Sequence, residues 1–137
     1  MPKCGGGGGF FFKLGFIWVC VLQLVSKWAV RVGAICAIEP DSNGHVTIPN
    51  NEHTIGDQTF AHCSNLVSIT IPSGVTTIGY AVFFNCSSLE RIDLPSSLTT
   101  LGQASFAYCS SLRNASLGSV QSIPQHSFFS CSSLEHV

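Results

Sequence analysis

From residue 45 onward the chain alternates apolar and polar positions in short bursts, and the bursts recur. An apolar–polar–apolar triplet opens each cycle: Val46-Thr47-Ile48, Ile69-Thr70-Ile71, Ile92-Asp93-Leu94 and Ala115-Ser116-Leu117. A period of two predicts a short strand whose outer two side chains point inward and whose middle one points out. Proline follows at Pro49, Pro72 and Pro95, with Gly118 in the last cycle. Proline has no amide hydrogen to give a ladder, so it ends each strand. Ser73-Gly74 and Ser96-Ser97 then supply turn chemistry. A second inward anchor comes next at Ile55, Ile78, Leu101 and Ile123, followed by Gly56, Gly79, Gly102 and Pro124. The stretch onward to the cysteine carries Phe60, Phe83, Phe106 and Phe128 and is expected to form a short helical turn. Leu66, Leu89, Leu112 and Leu134, three positions after each cysteine, close the cycle inward.

The cysteines measure the period. Cys63, Cys86 and Cys109 stand 23 residues apart and Cys131 follows after 22, which divides the segment into four units, 45–68, 69–91, 92–114 and 115–137. One such unit cannot bury its own apolar face. Stacked units can, with equivalent side chains about 4.8 Å apart along the axis. Each buried anchor contributes roughly 1.5–3 kcal/mol, which competes with the entropy of ordering the chain only when neighbours are present. The expected architecture is therefore a solenoid.

Units two and three, Ile69-Thr70-Ile71-Pro72 to Leu89 and Ile92-Asp93-Leu94-Pro95 to Leu112, carry the pattern nearly throughout. In this they resemble the BspA-like leucine-rich repeats, and the resemblance covers residues 45–137. It implies a leucine-rich-repeat solenoid of about four repeats, a mostly-β or α/β coil of short strands and short helical turns. It also implies a binding role in adhesion or recognition at a cell surface or after secretion, as for many members of that family. Gly118 and Pro124 depart from the pattern and put strain in the fourth unit.

Residues 1–44 follow another logic. Gly5–Gly9 form a flexible lead-in, and an apolar block runs from Phe10 to Ile38, expected to be helical. Its longest uncharged stretch, Leu14–Ser26, is too short for a membrane span and suits the core of a secretory signal. Ala34-Ile35-Cys36 offers small residues for a cleavage site, although Lys27 and Arg31 intervene. A signal anchor over Leu14–Val30, with membrane association through 10–38, is a second reading. A helix capping the first end of the solenoid and a segment with no targeting role are the others.

Composition narrows the function. A net charge of −1 argues against a nucleic-acid partner. The seven cysteines show no CxxC, so the column Cys63, Cys86, Cys109 and Cys131 reads as buried core, with pairing between neighbours and a soft-metal ladder as the alternatives. The phenylalanine column reads as core too, whereas Phe84 and Phe129 follow their column members and are expected to be partly exposed. The five histidines have no metal spacing, no nucleophile motif or phosphate loop is present, and neither catalysis nor a cofactor is expected. Asn85-Cys86-Ser87 and Asn114-Ala115-Ser116 match the N-glycosylation pattern, with Asn85 crowded by its cysteine.

The outward strand positions form the candidate binding site. His45 and Thr47, Ser68 and Thr70, Arg91 and Asp93, and Asn114 and Ser116 differ from unit to unit while the inward residues repeat. Such a face suits a protein or glycan partner. A structural spacer, or self-association through an open end at Val137 of a truncated array, is the competing expectation, as is a cytoplasmic rather than surface location.

Overall fold

The computed structural model describes residues 36–137. Seven strands appear there in chain order. Four have three residues, β1 (His45–Thr47), β3 (Ser68–Thr70), β5 (Arg91–Asp93) and β7 (Asn114–Ser116). Three have two, β2 (Thr54–Ile55), β4 (Thr77–Ile78) and β6 (Thr100–Leu101). All pairing between the strands is parallel and holds one 23-residue register, His45 on Ser68, Thr54 on Thr77 and Arg91 on Asn114. The expected strand is present, shifted one residue toward the N-terminus. Val46, Ile69, Ile92 and Ala115 are its inward centres, and Ile48, Ile71 and Leu94 remain buried just beyond it. The Ile48 amide still reaches the Thr70 carbonyl at 3.1 Å, and Leu94 reaches Ser116 at 2.8 Å, before proline or Gly118 ends the ladder.

The second column of strands was legible in the sequence only as an anchor. Its Thr-Ile, Thr-Ile and Thr-Leu pairs put the threonine outside and a β-branched or leucine side chain in the core. The ladder then runs on into glycine: Gly79 donates to Ile55 and Gly102 to Ile78, at 2.9 and 2.8 Å. The backbones pass so closely there that a Cβ on Gly102 would overlap the Gly79 carbonyl and come within 2.6 Å of the Tyr80 nitrogen. Glycine is required for want of room at Gly79 and Gly102, whereas a Cβ on Gly56, in the first coil, would come no nearer than 3.7 Å to its neighbours.

The third side of each coil corrects the expectation of a helical turn: among the described residues there is no helix. The amides between glycine and cysteine alternate between two duties. Ala61 and Cys63 bond back three residues to Gln58 and Phe60, while Gln58, Phe60 and His62 donate to Tyr80, Val82 and Phe84 of the next coil. The same alternation recurs one coil on, where Ala81, Phe83 and Asn85 donate to Gln103, Ser105 and Ala107. A helix would spend every amide within the coil, leaving none for the stack. The alternation requires left-handed backbone at two places per coil, at Gln58, Ala81, Ala104 and His126, and at His62, Asn85, Tyr108 and Ser130. Each such non-glycine residue costs about 1–2 kcal/mol, offset by the hydrogen bonds between coils. Each cysteine then opens a tight turn, its carbonyl accepting the amide of the leucine three residues on at 3.2 Å.

The core lies inside the coils. Phe60, Phe83 and Phe106 stack nearly parallel with centroids 5.6 and 5.3 Å apart, and Phe128 continues the stack at 5.2 Å. Leu66, Leu89 and Leu112 are fully buried, and Val75 and Leu98 add a column inside the turn after the proline. Phe128, Cys131 and Leu134 pack on this core from the fourth coil but are only partly buried.

Residues 36–44 close the first coil. Cys36 is buried and disulfide-bonded to Cys63, with Cα atoms 5.2 Å apart, and the Ala37 amide donates to Thr59 at 3.0 Å. One Asp41 carboxylate oxygen accepts the amides of Asn43 and His45, and these bonds hold that carboxyl below its ordinary range. The Gly44 carbonyl then accepts from Val67 and starts the ladder. Signal, anchor and cap-helix readings of residues 10–38 lie outside the described residues, save that Cys36–Ile38 form no helix. Cleavage after Cys36 would remove the partner of Cys63.

Candidate functional site

The eight outward strand residues form one surface over the parallel column. His45 joins the first two strands: its Nδ1 lies 2.7 Å from Ser68 Oγ and its Nε2 3.1 Å from Thr70 Oγ1. Arg91 and Asp93 share one strand, so a two-residue spacing sets them side by side, and the guanidinium donates two bonds to the carboxylate at 2.9 and 3.1 Å. That hydrogen bonding, reinforced by the charge of Asp93, raises the Arg91 pKa. Both side chains are more than half exposed, at 66% and 57%. Such a pair adds little to stability in water, but it fixes where the two charges stand. Thr47, Asn114 and Ser116 are exposed as well, and Ser68 is half-buried. The β3 and β5 strands lie side by side, yet between them only Glu90 donates to Val67, at 3.1 Å.

The cysteine column divides by coil. Cys63 pairs with Cys36, outside the column. Cys86, Cys109 and Cys131 each donate a thiol hydrogen to the phenylalanine carbonyl one coil below, Phe60, Phe83 and Phe106, at 3.0 Å each. Each thiol so reaches the backbone of the coil beneath while filling a small apolar site. Burial pushes the Cys86 thiol up to about 12, and Cys109 and Cys131 upward too. These sulfurs stay protonated at neutral pH and are poor nucleophiles or metal ligands. Among the described residues no group of three His, Cys, Asp or Glu side chains could hold a metal, and no helix is long and apolar enough to cross a membrane.

A second surface lies on the glycine-to-cysteine side, where the sequence marked only Phe84 and Phe129. His62, Phe84, Tyr108 and Phe129 meet edge to face in a zigzag, with centroids 5.4, 5.3 and 5.4 Å apart, and His126 adds a further edge at 5.8 Å. The zigzag arises because the aromatic sits one residue before the cysteine in coils one and three, and two before it in coils two and four. Tyr80, Tyr108 and Phe129 are about half exposed, and a depression of about 150 Å³ opens between coils one and two. Asn85 is exposed rather than crowded by Cys86, and its amide contacts His62 Nδ1 at 3.1 Å. The other two described histidines stand apart: His53 contacts the Gly74 carbonyl, and His136 bridges to Asn114.

Parallel coils of constant register, inward leucine, isoleucine and phenylalanine columns and a polar strand face define a leucine-rich-repeat solenoid. The chain belongs to the family of BspA-type leucine-rich repeat regions, whose model matches residues 39–137 in six copies. It is similar to a crystal structure of a leucine-rich repeat protein from Eubacterium ventriosum, with 30% identity and a TM-score of 0.65 over 69% of this chain. It is also similar to the leucine-rich repeat protein of T. pallidum, with 35% identity and a TM-score of 0.63 over 66% of this chain. The chain spans only 26% and 42% of the length of those two proteins. No curated protein matches it. Leucine-rich repeat modules generally bind proteins, and no catalytic family is indicated.

Proposed function

We propose that this solenoid recognises a protein partner through its outward strand face, at the cell surface or after secretion. The observation that carries this is the strand column itself. A repeated apolar inward ladder holds eight outward positions in a fixed register, and their chemistry changes from coil to coil: an imidazole among hydroxyls, an ion pair, then an amide with a hydroxyl. A rigid surface of varied polar groups binds with little ordering cost. The Cys36–Cys63 bond supports the location, because disulfides persist where the environment is oxidising.

A photo-crosslinking side chain at Thr70 tests this reading against surface and secreted proteins of the source cell. It should capture one protein that the same group at Ser64, outside the strand column, does not. Exchanging the charges in Arg91→Asp with Asp93→Arg should weaken that complex about tenfold and leave the melting temperature in place, since exposed pairs contribute little to folding. Equal capture from both positions, or binding indifferent to the exchange, would remove the strand face from consideration.

A further inference from the structure

We infer that the aromatic side of the solenoid is a second binding site, for a neutral glycan, seated between coils one and two. The depression there is lined by Gln58, Ala61 and His62 from one coil and Tyr80, Ala81 and Phe84 from the next. Its size, about 150 Å³, suits a single sugar ring rather than a folded element of a protein. The two alanines keep it shallow. Aromatic rings stand around them, and an aromatic face is electron-rich, so it attracts the weakly positive C–H face of a pyranose.

Polar groups of this wall match hydroxyls, which both donate and accept. The Gln58 amide and the Tyr80 hydroxyl each do both. The Asn85 Nδ2–H lies 3.1 Å from His62 Nδ1, which must accept. A neutral imidazole then carries its proton on Nε2, as a donor for a ligand. None of the six lining residues is a lysine, arginine, aspartate or glutamate, so nothing here recruits an anionic chain. The carboxylate of Asp57, next to Gln58 in sequence, accepts the Tyr80 amide at 2.8 Å. A quaternary ammonium would want ring faces closing round it and has no use for hydrogen bonds. These rings meet edge to face and leave the depression open. Tyr108 and Phe129 continue the aromatic line along the axis, giving further rings of a polysaccharide a surface to follow.

Electrophoresis of the full chain in native gels containing soluble mixed-linkage β-glucan, xylan or galactomannan tests the site, with heparin as the anionic comparison. Retardation by at least one neutral polysaccharide is expected. Tyr80→Ala should weaken it about tenfold or more without moving the melting temperature. The Arg91/Asp93 charge exchange should leave it unchanged, which separates this site from the strand face. No retardation by any of the three neutral polymers, retardation by heparin alone, or full retardation of Tyr80→Ala would each overturn the proposal.

Discussion

Coils two and three carry nearly the same anchors as coil four, yet bury them to different depths. Phe83 and Phe106 are fully enclosed, whereas Phe128, at the same place in its coil, is only partly buried. Ring packing does not explain this, because Phe106 meets Phe128 at 5.2 Å and Phe83 at 5.3 Å. The inner phenylalanines have a ring on each side, and among the described residues Phe128 has one. Stability in such an array comes from interfaces between neighbours more than from any unit's own sequence. Coil four also lacks a strand in the second column: Pro124 replaces the glycine, and Ile123 stands half exposed where Ile78 is buried.

The largest expected effect follows from that contrast. Phe83→Ala should cost about 3–5 kcal/mol, the loss of an aromatic enclosed on both sides. Phe128→Ala should cost about 1–2 kcal/mol, in line with its partial burial. Urea unfolding of both variants, followed by far-ultraviolet circular dichroism, reads the difference. Equal losses would mean that the partly buried ring packs as tightly as the enclosed one, and the contrast between coils would fail.

At the other end the chain uses covalent chemistry. The Cys36–Cys63 bond closes a loop with a sequence separation of 27, and loss of that cross-link should cost about 3 kcal/mol. Cys36→Ser should lower the urea midpoint accordingly. A reducing agent should lower the natural protein to the same level and leave the variant where it is. A variant as stable as the natural protein would show that packing alone holds the first coil.

The inward frame was legible in the sequence because it repeats: a period of 23 residues and a fixed order of anchors leave one way to stack. The outward strand face followed from the two-residue period. The third side was misread. A glycine-to-cysteine segment of about two helical turns, rich in alanine and phenylalanine, looks helical in a single coil. Only the stack reveals that alternate amides are needed by the next coil, as with Phe60 to Val82. Cys36 was missed as a partner of Cys63 because it lies outside the repeat. The aromatic ridge was seen only in part, since its members occupy two alternating positions and no single column displays them.

Thiol chemistry gives the smallest and finest probe of the same contrast. Cys86 and Cys109 are fully buried and Cys131 partly so, and burial raises all three thiols. In the folded protein at pH 8, iodoacetamide followed by peptide mass analysis should modify Cys131 first and leave Cys86 and Cys109 until the chain unfolds. The sign of the linked pH effect is fixed. The unfolded chain loses the Cys86 proton near 9.0 and the folded chain near 12, so between those values the folded state holds more protons. Stability must then fall as pH rises across that window. Replacing Cys86 by alanine should flatten the decline, whereas replacing Cys131, only partly buried, should change it less. A decline equally sensitive to both substitutions would mean that coil four shields its thiol as well as the interior does.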